Sequence, residues 1–211
     1  SSAASDVYKR QVFDTQTQII GYASSKGQFS EQMSLIKDKF QYYNDLYDIY
    51  HDYEGMNNIK TINDNAGIKP VKVDEEIIEL LKLGITMDEK TDGNMNIAMG
   101  SVLSIWHDYR EAGSEDPGSA ELPPMDELER AAEHTDIHNI VIDEEASTVY
   151  LTDPDMSLDV GSIGKGYAVQ KVAEYAKNEL GIQYMLFSVG GNVCAIGGPV
   201  SYTHLQAHET L

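Results

Sequence analysis

The chain has 211 residues and carries 15 Lys and Arg against 35 Asp and Glu, a net charge of −20. That charge argues against a nucleic-acid backbone or an anionic membrane as partner, and an anionic ligand would need a local device: backbone amides, one placed lysine or a metal ion. Hydrophobic residues make up 41%, enough for a core and too many for wholesale disorder; the single cysteine, Cys194, excludes an internal disulfide; no apolar run approaches the roughly 20 residues that span a bilayer.

The two ends stand apart. "SSAASDVYKRQ" (1–11) and "SYTHLQAHETL" (201–211) have no clear apolar period and no cap or turn logic. Both resemble translated sequencing-adaptor read-through and are set aside as non-native-looking tails around a domain at 12–200. On that expectation the chain is an internal fragment, with any signal or lipid anchor lost upstream and a C-terminal portion lost downstream. His204 and His208, four apart like zinc ligands on a helix, fall in the second tail and are discounted.

From the start of the domain, "VFDTQTQIIGYA" (12–23) reads as a strand. A long helix follows, with Phe29, Met33, Ile36, Phe40, Tyr43, Tyr47 and Tyr50 as one apolar stripe facing the core. "YEGMNNIKTINDNAGIKPV" (53–71) is rich in turn residues and reads as a long functional loop. Asp74 caps a helix carrying Ile77, Ile78 and Leu81 that ends near Gly84.

"TDGNMNIAMGSVLSIWHDYREAG" (91–113) opens as a turn and continues as a helix around Trp106. A surface loop and a short helix, "MDELERAAEH", come next. His134 and His138 lie where that helix gives way to a strand, and an ordinary surface role is expected of both. "NIVIDEEASTVYLTD" (139–153) reads as a hairpin around a polar four-residue turn. "GYAVQKVAEYAKNELG" is a helix with Val169, Val172, Ala173, Ala176 and Leu180 buried and Gly181 at its stop. "YMLFSVGGNVCAIGG" (184–198) reads as a buried strand broken by Gly190-Gly191, where a β-bulge is the plain reading. Strands and helices mix without a βαβ repeat, so the fold class is α+β, with mixed or antiparallel sheets and packed helices.

"SLDVGSIGKGYAVQ" (157–170) carries the chemistry. It matches neither the G-x-x-x-x-G-K-[ST] phosphate loop nor the G-x-G-x-x-G dinucleotide fingerprint. A strand ending at Leu158 or Asp159, close-approach glycines and a helix beginning near Gly166 still suit an anion or polar ligand beside Lys165. Asp159 then accepts amides of its own turn, binds ring N–H donors of a base or flavin, or holds a metal. An Asp-capped, glycine-tight turn with a surface lysine accounts for the same residues equally well.

Together these segments resemble the FAD:protein FMN transferase (ApbE) family over roughly residues 12–198. "LDVGSIGKGYAVQ" resembles the family's D-x-G-x-x-x-K-G-Y signature, and "SVGGNVCAIG" the glycine pair of the following strand. "TDGNMNIAMGSVLSIW", "YEGMNNIKTIN" with its I-x-x-x-N pattern, and "FDTQTQIIGYA" resemble three earlier family segments. The resemblance implies an ApbE-like α+β fold that binds FAD and Mg2+ and passes FMN to a threonine hydroxyl of an acceptor protein. Some members instead hydrolyse FAD to FMN and AMP.

Carried over by position, Asp159 contacts FAD and Lys165 sits by its phosphates. The carbonyl of Ser162 is a magnesium ligand, and Tyr53 lies against the flavin or adenine. Ile97, Ala98 and Met99 line the dinucleotide site, with the Gly190-Gly191 pair and Phe13 also at the cofactor. Phe13 replaces the family's Met, and Asn96 and Ala98 replace its commoner Asp and Thr. The family's remaining metal ligands lie beyond the glycine pair and are not found here, so weak or absent FAD binding and no FMN transfer are expected of these residues alone. Implied partners are FAD and a threonine-containing flavin acceptor, with no nucleic acid. The implied location is extracytoplasmic, with a possible lipid anchor in the full-length protein. An FAD pyrophosphatase, a flavin-binding or electron-carrying module and a cofactor-free acidic interaction domain stay as alternatives.

Overall fold

The structure, a computed structural model, describes residues 6–11, 17–197 and 202–206. The chain divides into two compact units, Asp45–Ser162 and the combination of Ser1–Asn44 with Ile163–Leu211. Both are α+β, as the mixture of periods requires.

The unit formed by the two chain ends is built on one antiparallel sheet. Its strands are β1 (Asp6–Gln11), β2 (Thr17–Ala23), β6 (Met185–Val189), β7 (Asn192–Ile196) and β8 (Tyr202–Gln206), in the order β1-β2-β6-β7-β8. Ile19 pairs with Phe187 and Phe187 with Cys194, so three residues that are 0% exposed form one row across the sheet. Alternation puts that row inward, because side chains on a strand repeat with period two. Helix α1 (Lys26–Tyr47) lays the predicted stripe on the core: Phe29, Met33, Ile36, Phe40 and Tyr43 are buried, and the Phe40 ring meets Phe187 edge-on at 6.4 Å. Each such side chain contributes about 1.5–3 kcal/mol when fully buried. Helix α6 (Gly161–Asn178) buries Val169, Val172, Ala173 and Ala176, while Leu180 stays half-buried beyond its end. Gly181, at φ 69°, takes the left-handed conformation at the stop.

The ends set aside on composition both pair as outer strands, β1 on β2 and β8 on β7. Edge pairing uses only backbone donors and acceptors, so it requires no apolar period of the added segment. Gly190 and Gly191, with φ 51° and 89°, are a two-residue hairpin turn between β6 and β7 instead of a bulge in one strand. Positive φ at both central residues is what such a turn demands, and glycine supplies it without steric cost.

The 45–162 unit contains α2 (Ile59–Asp64), β3 (Val71–Lys72), α3 (Glu75–Lys90), α4 (Gly100–Glu115), α5 (Met125–Ala132), β4 (Ile140–Asp143) and β5 (Thr148–Leu151). The β4–β5 hairpin forms as predicted, with β3 added in the order β3-β5-β4. Asp74 caps α3 by accepting from the Glu76 N–H, but α3 runs past Gly84 to Lys90. One buried glycine costs a helix only about 1 kcal/mol, which the buried Ile77, Ile78, Leu80 and Leu81 outweigh.

The expected 53–71 loop contains helix α2. Asn58 makes it, through a reciprocal capping box with Thr61. Its Nδ2 also donates to the Asp45 and His51 carbonyls at 3.0 and 2.9 Å. The side chain is 0% exposed, so a polar residue that reads as turn chemistry is a buried structural hub.

Candidate functional site

Asp159 lies just ahead of α6, and α6 starts five residues earlier than the sequence suggests, at Gly161 instead of Gly166. The Asp159 Oδ1 accepts the Gly161 N–H at 2.9 Å. A carboxylate at a helix N-terminus satisfies an orphan donor and meets the positive end of the dipole. The capped-turn reading is therefore part of the explanation of this aspartate. Residues 157–160 form no strand, contrary to the strand end expected at Leu158 or Asp159. They are held by backbone bonds, Gly100 N–H to the Ser157 carbonyl at 3.0 Å and Asp159 N–H to the Ile97 carbonyl at 2.9 Å.

Asn63 completes the hold. Its Oδ1 accepts the Leu158 N–H at 2.7 Å and its Nδ2 donates to the Leu158 carbonyl at 3.0 Å. The asparagine of the I-x-x-x-N pattern is thus a two-point clamp on the residue before Asp159. Gly100 permits the close approach. A Cβ there would stand 2.6 Å from the Ser157 carbonyl oxygen.

Asp159 opens on a cavity of about 290 Å³, whose wall includes Tyr50, Asn63, Gly100, Leu103 and His107. Gly100, Leu103, Ser104 and His107 fall at helical spacing i, i+3, i+4 and i+7, so one face of α4 forms that wall. Tyr50, which the stripe assigned to the core, lies beyond the end of α1 and is 55% exposed. Burial of its hydroxyl, followed by the negative charge of Asp159, raises the Tyr50 pKa, while Arg110 works against the shift. Tyr50 therefore remains an O–H at neutral pH.

Tyr53 is not on this wall. Its hydroxyl donates to the Asp48 carboxylate, and that bond, with burial behind it, raises its pKa to about 12. Burial pushes the Asp48 carboxyl up, yet bonds from Tyr53, the Tyr50 N–H and His51 together bring it below its ordinary value. Ile97 and Ala98 are 1% and 0% exposed, so their side chains pack inward, and neither they nor Met99 line the cavity. What this segment supplies is the Ile97 carbonyl that holds Asp159.

Lys165 sits in the second turn of α6, exposed, with its Nζ 3.8 Å from where a Gly190 Cβ would be. The lysine and the glycine pair, each assigned to the cofactor by resemblance, are neighbours in space. Ser162 is exposed in the first turn of α6. Its carbonyl has the oxygen character that magnesium prefers, and a carbonyl with two lone pairs can serve a helix bond and a cation. Phe13 lies outside the described residues.

Elsewhere in this unit, His134 is held more firmly than a surface histidine. Its Nδ1 is 2.8 Å from Asp153 and its Nε2 3.9 Å from Asp155. Ligand atoms of the three lie within 4.8 Å of one another. Asp153 already accepts the Asp155 N–H, so the arrangement works as a hydrogen-bonded clamp. His138 is 87% exposed beside Asp136. Cys194 is buried, and that burial pushes its thiol up to about 11, which leaves no thiolate for nucleophilic chemistry.

Residues 13–204 match the ApbE family. This chain belongs to the ApbE family. Two proteins named FAD:protein FMN transferase are among its relatives: one from Klebsiella pneumoniae, 27% identical over 169 residues, and one from Escherichia coli, 24% identical over 172. Each alignment takes in 80% of this chain, which spans about half of those relatives, 51% and 47%. The crystal structure of an ApbE protein from Thermotoga maritima superposes with a TM-score of 0.72 at 23% identity, covering 96% of this chain and 68% of that one. The flavin transferase ApbE from Vibrio cholerae, as its H257G mutant, gives 0.71 at 19% identity, covering 90% and 62%. The ApbE fold and the α+β class follow.

Proposed function

We propose that this chain is the FAD-binding part of an FAD:protein FMN transferase, which moves FMN from FAD to a threonine hydroxyl of a target protein. The observation that carries the reading is the cavity at Asp159. The signature aspartate is fixed by the Gly161 N–H, the Ile97 carbonyl and the Asn63 clamp, each contributed by a segment that resembles one of the family's motifs. A carboxylate so fixed is a ready acceptor for the N–H edge of a nucleotide or flavin ring. Lys165 beside the Gly190 turn is a cation suited to phosphate oxygens.

Magnesium belongs to the same proposal, with the Ser162 carbonyl as one ligand. When bound, the ion neutralises charge on the pyrophosphate. The residues of this chain hold the dinucleotide and keep its ring end oriented. An extracytoplasmic location with a lipid anchor on the full-length protein is also proposed, on the family resemblance alone. Fractionation of cells expressing the full gene tests it.

Because these residues alone are not expected to transfer FMN, the activity test incubates the protein encoded by the full gene with FAD, magnesium and a threonine-containing acceptor, and follows the acceptor by mass spectrometry. A phosphoester-linked FMN on the threonine, lost in Asp159→Ala, supports the transferase. Free FMN and AMP with an unmodified acceptor would identify a pyrophosphatase. Bound flavin without AMP release would identify a binding module.

A further inference from the structure

Tyr50 and His107 come from distant parts of the chain, one just past α1 and the other from α4. Their rings lie 5.2 Å apart between centroids and 33° from parallel. Both line the cavity that Asp159 opens on, beside Leu103, which is 43% exposed. A tyrosine that is 55% exposed at the mouth of a cavity is not accounted for by core packing.

The charge of the cavity narrows what can fill it. Asp159 and Asp108 are both on its wall. Phosphate groups placed there would meet like charge, whereas a neutral planar ring would meet aromatic faces and a carboxylate acceptor. The volume, about 290 Å³, is at the lower end for small-molecule sites and suits one ring system better than a whole dinucleotide.

We infer that Tyr50 and His107 form an angled aromatic wall on which one planar heteroaromatic end of the dinucleotide stacks, with its N–H edge turned to Asp159. The inference rests on the proposed function and adds two residues to it, neither of which belongs to the motifs that carry the family resemblance. It assigns to Tyr50 the ring contact that sequence position gave to Tyr53. The shared chemistry is a flat ring with edge N–H donors, which both adenine and isoalloxazine offer.

The test measures dissociation constants for FAD, FMN and AMP with the protein encoded by the full gene in magnesium buffer, by NMR titration so that weak binding is read. Flavin fluorescence is followed in parallel. Wild type is compared with Tyr50→Ala, Tyr50→Phe, His107→Ala and His107→Phe. The alanine variants are expected to weaken FAD by roughly tenfold or more, the scale of a lost stacking contact, and the phenylalanine variants to restore most of it. Melting temperatures should change little, since Tyr50 is exposed. The fragment whose binding falls with FAD identifies the stacked ring: AMP for adenine, or FMN with loss of fluorescence quenching for isoalloxazine. If wild type binds FAD and the alanine variants bind it equally well, the aromatic wall is overturned and the proposed function stands. If wild type binds none of the three ligands, the proposed function falls and the wall falls with it.

Discussion

The two units of this chain are held together by different means. In the sheet unit, backbone groups of β1, β2, β6, β7 and β8 satisfy one another in an unbroken antiparallel order, and Ile19, Phe187 and Cys194 fill the space behind them. In the 45–162 unit, side chains close onto backbone across sequence gaps of 7 to 95 residues: Asn58 on Asp45 and His51, Asn63 on Leu158, Asn96 on Thr135, Ser101 on Ala131 and Ser147 on Val73. A ladder tolerates substitutions that keep volume and pattern. A side-chain clamp depends on one atom of one residue. The cavity with Asp159 lies in the clamped unit, where irregular segments can present backbone and carboxylate groups that a ladder would consume.

The sharpest way to break this contrast is at Asn58. Asn58→Ala removes the capping box and leaves the Asp45 and His51 carbonyls without its donors inside the protein. A loss of about 3 kcal/mol or more is expected by urea unfolding. Ile36→Val in the sheet unit, also at a 0% exposed position, should cost about 0.5–1.5 kcal/mol. Equal losses would remove the distinction.

Gly100→Ala comes next. Its Cβ would have to push the Ser157 backbone away, at a cost of about 1–3 kcal/mol. The displacement falls on the segment that carries Asp159, so FAD binding should fall further than stability does. A variant with unchanged affinity would show that the 157–159 segment is not fixed by this approach.

In the sheet unit the sensitive point is the hairpin turn. Gly191→Ala at φ 89° should cost about 1–2 kcal/mol, while Gly190→Asn at φ 51° should be close to neutral, because asparagine visits the left-handed region. Thermal unfolding of both variants checks this.

The smallest effect concerns the His134–Asp153 clamp and is seen as a pH dependence. The hydrogen bond to Asp153 raises the His134 pKa above its ordinary 6.5, with burial opposing. Burial raises the Asp153 carboxyl, but bonds from the Asp155 N–H and from His134 bring it net below 3.8. A raised histidine stabilises fully below its unfolded value and loses that contribution as pH rises through its folded value. A lowered carboxylate stabilises above its unfolded value and loses that contribution as pH falls through its folded one. The difference in melting temperature between wild type and His134→Gln should therefore be greatest between about pH 4.5 and 6 and shrink toward pH 9. A difference independent of pH would mean that the imidazole only fills space.

Much of the fold was legible in the sequence where one period dominates. The stripe from Phe29 to Tyr43, the Asp74 cap, the 139–153 hairpin and the buried face at Val169, Val172 and Ala173 all follow from spacing alone. Tyr50 continued that stripe on paper, yet α1 ends at Tyr47, and a helical period says nothing about where the helix stops. Helix α2 was hidden because Asn and Thr are turn residues unless they cap one another, as Asn58 and Thr61 do. The i, i+3, i+4, i+7 face of Gly100, Leu103, Ser104 and His107 was readable as a helix face, but nothing in the spacing says that it borders a cavity.

By itself, then, the sequence determined the longer helices, the 139–153 hairpin, the α+β class and the family. These depend on local periodicity and on short motifs whose residues act within a few positions of one another. Tertiary structure alone decided that Asn63 clamps Leu158, that Gly100 lies against Ser157 and that Tyr50 meets His107 beside Asp159. Those contacts join residues between 57 and 95 positions apart, and only the packing of the whole unit fixes which distant surfaces meet.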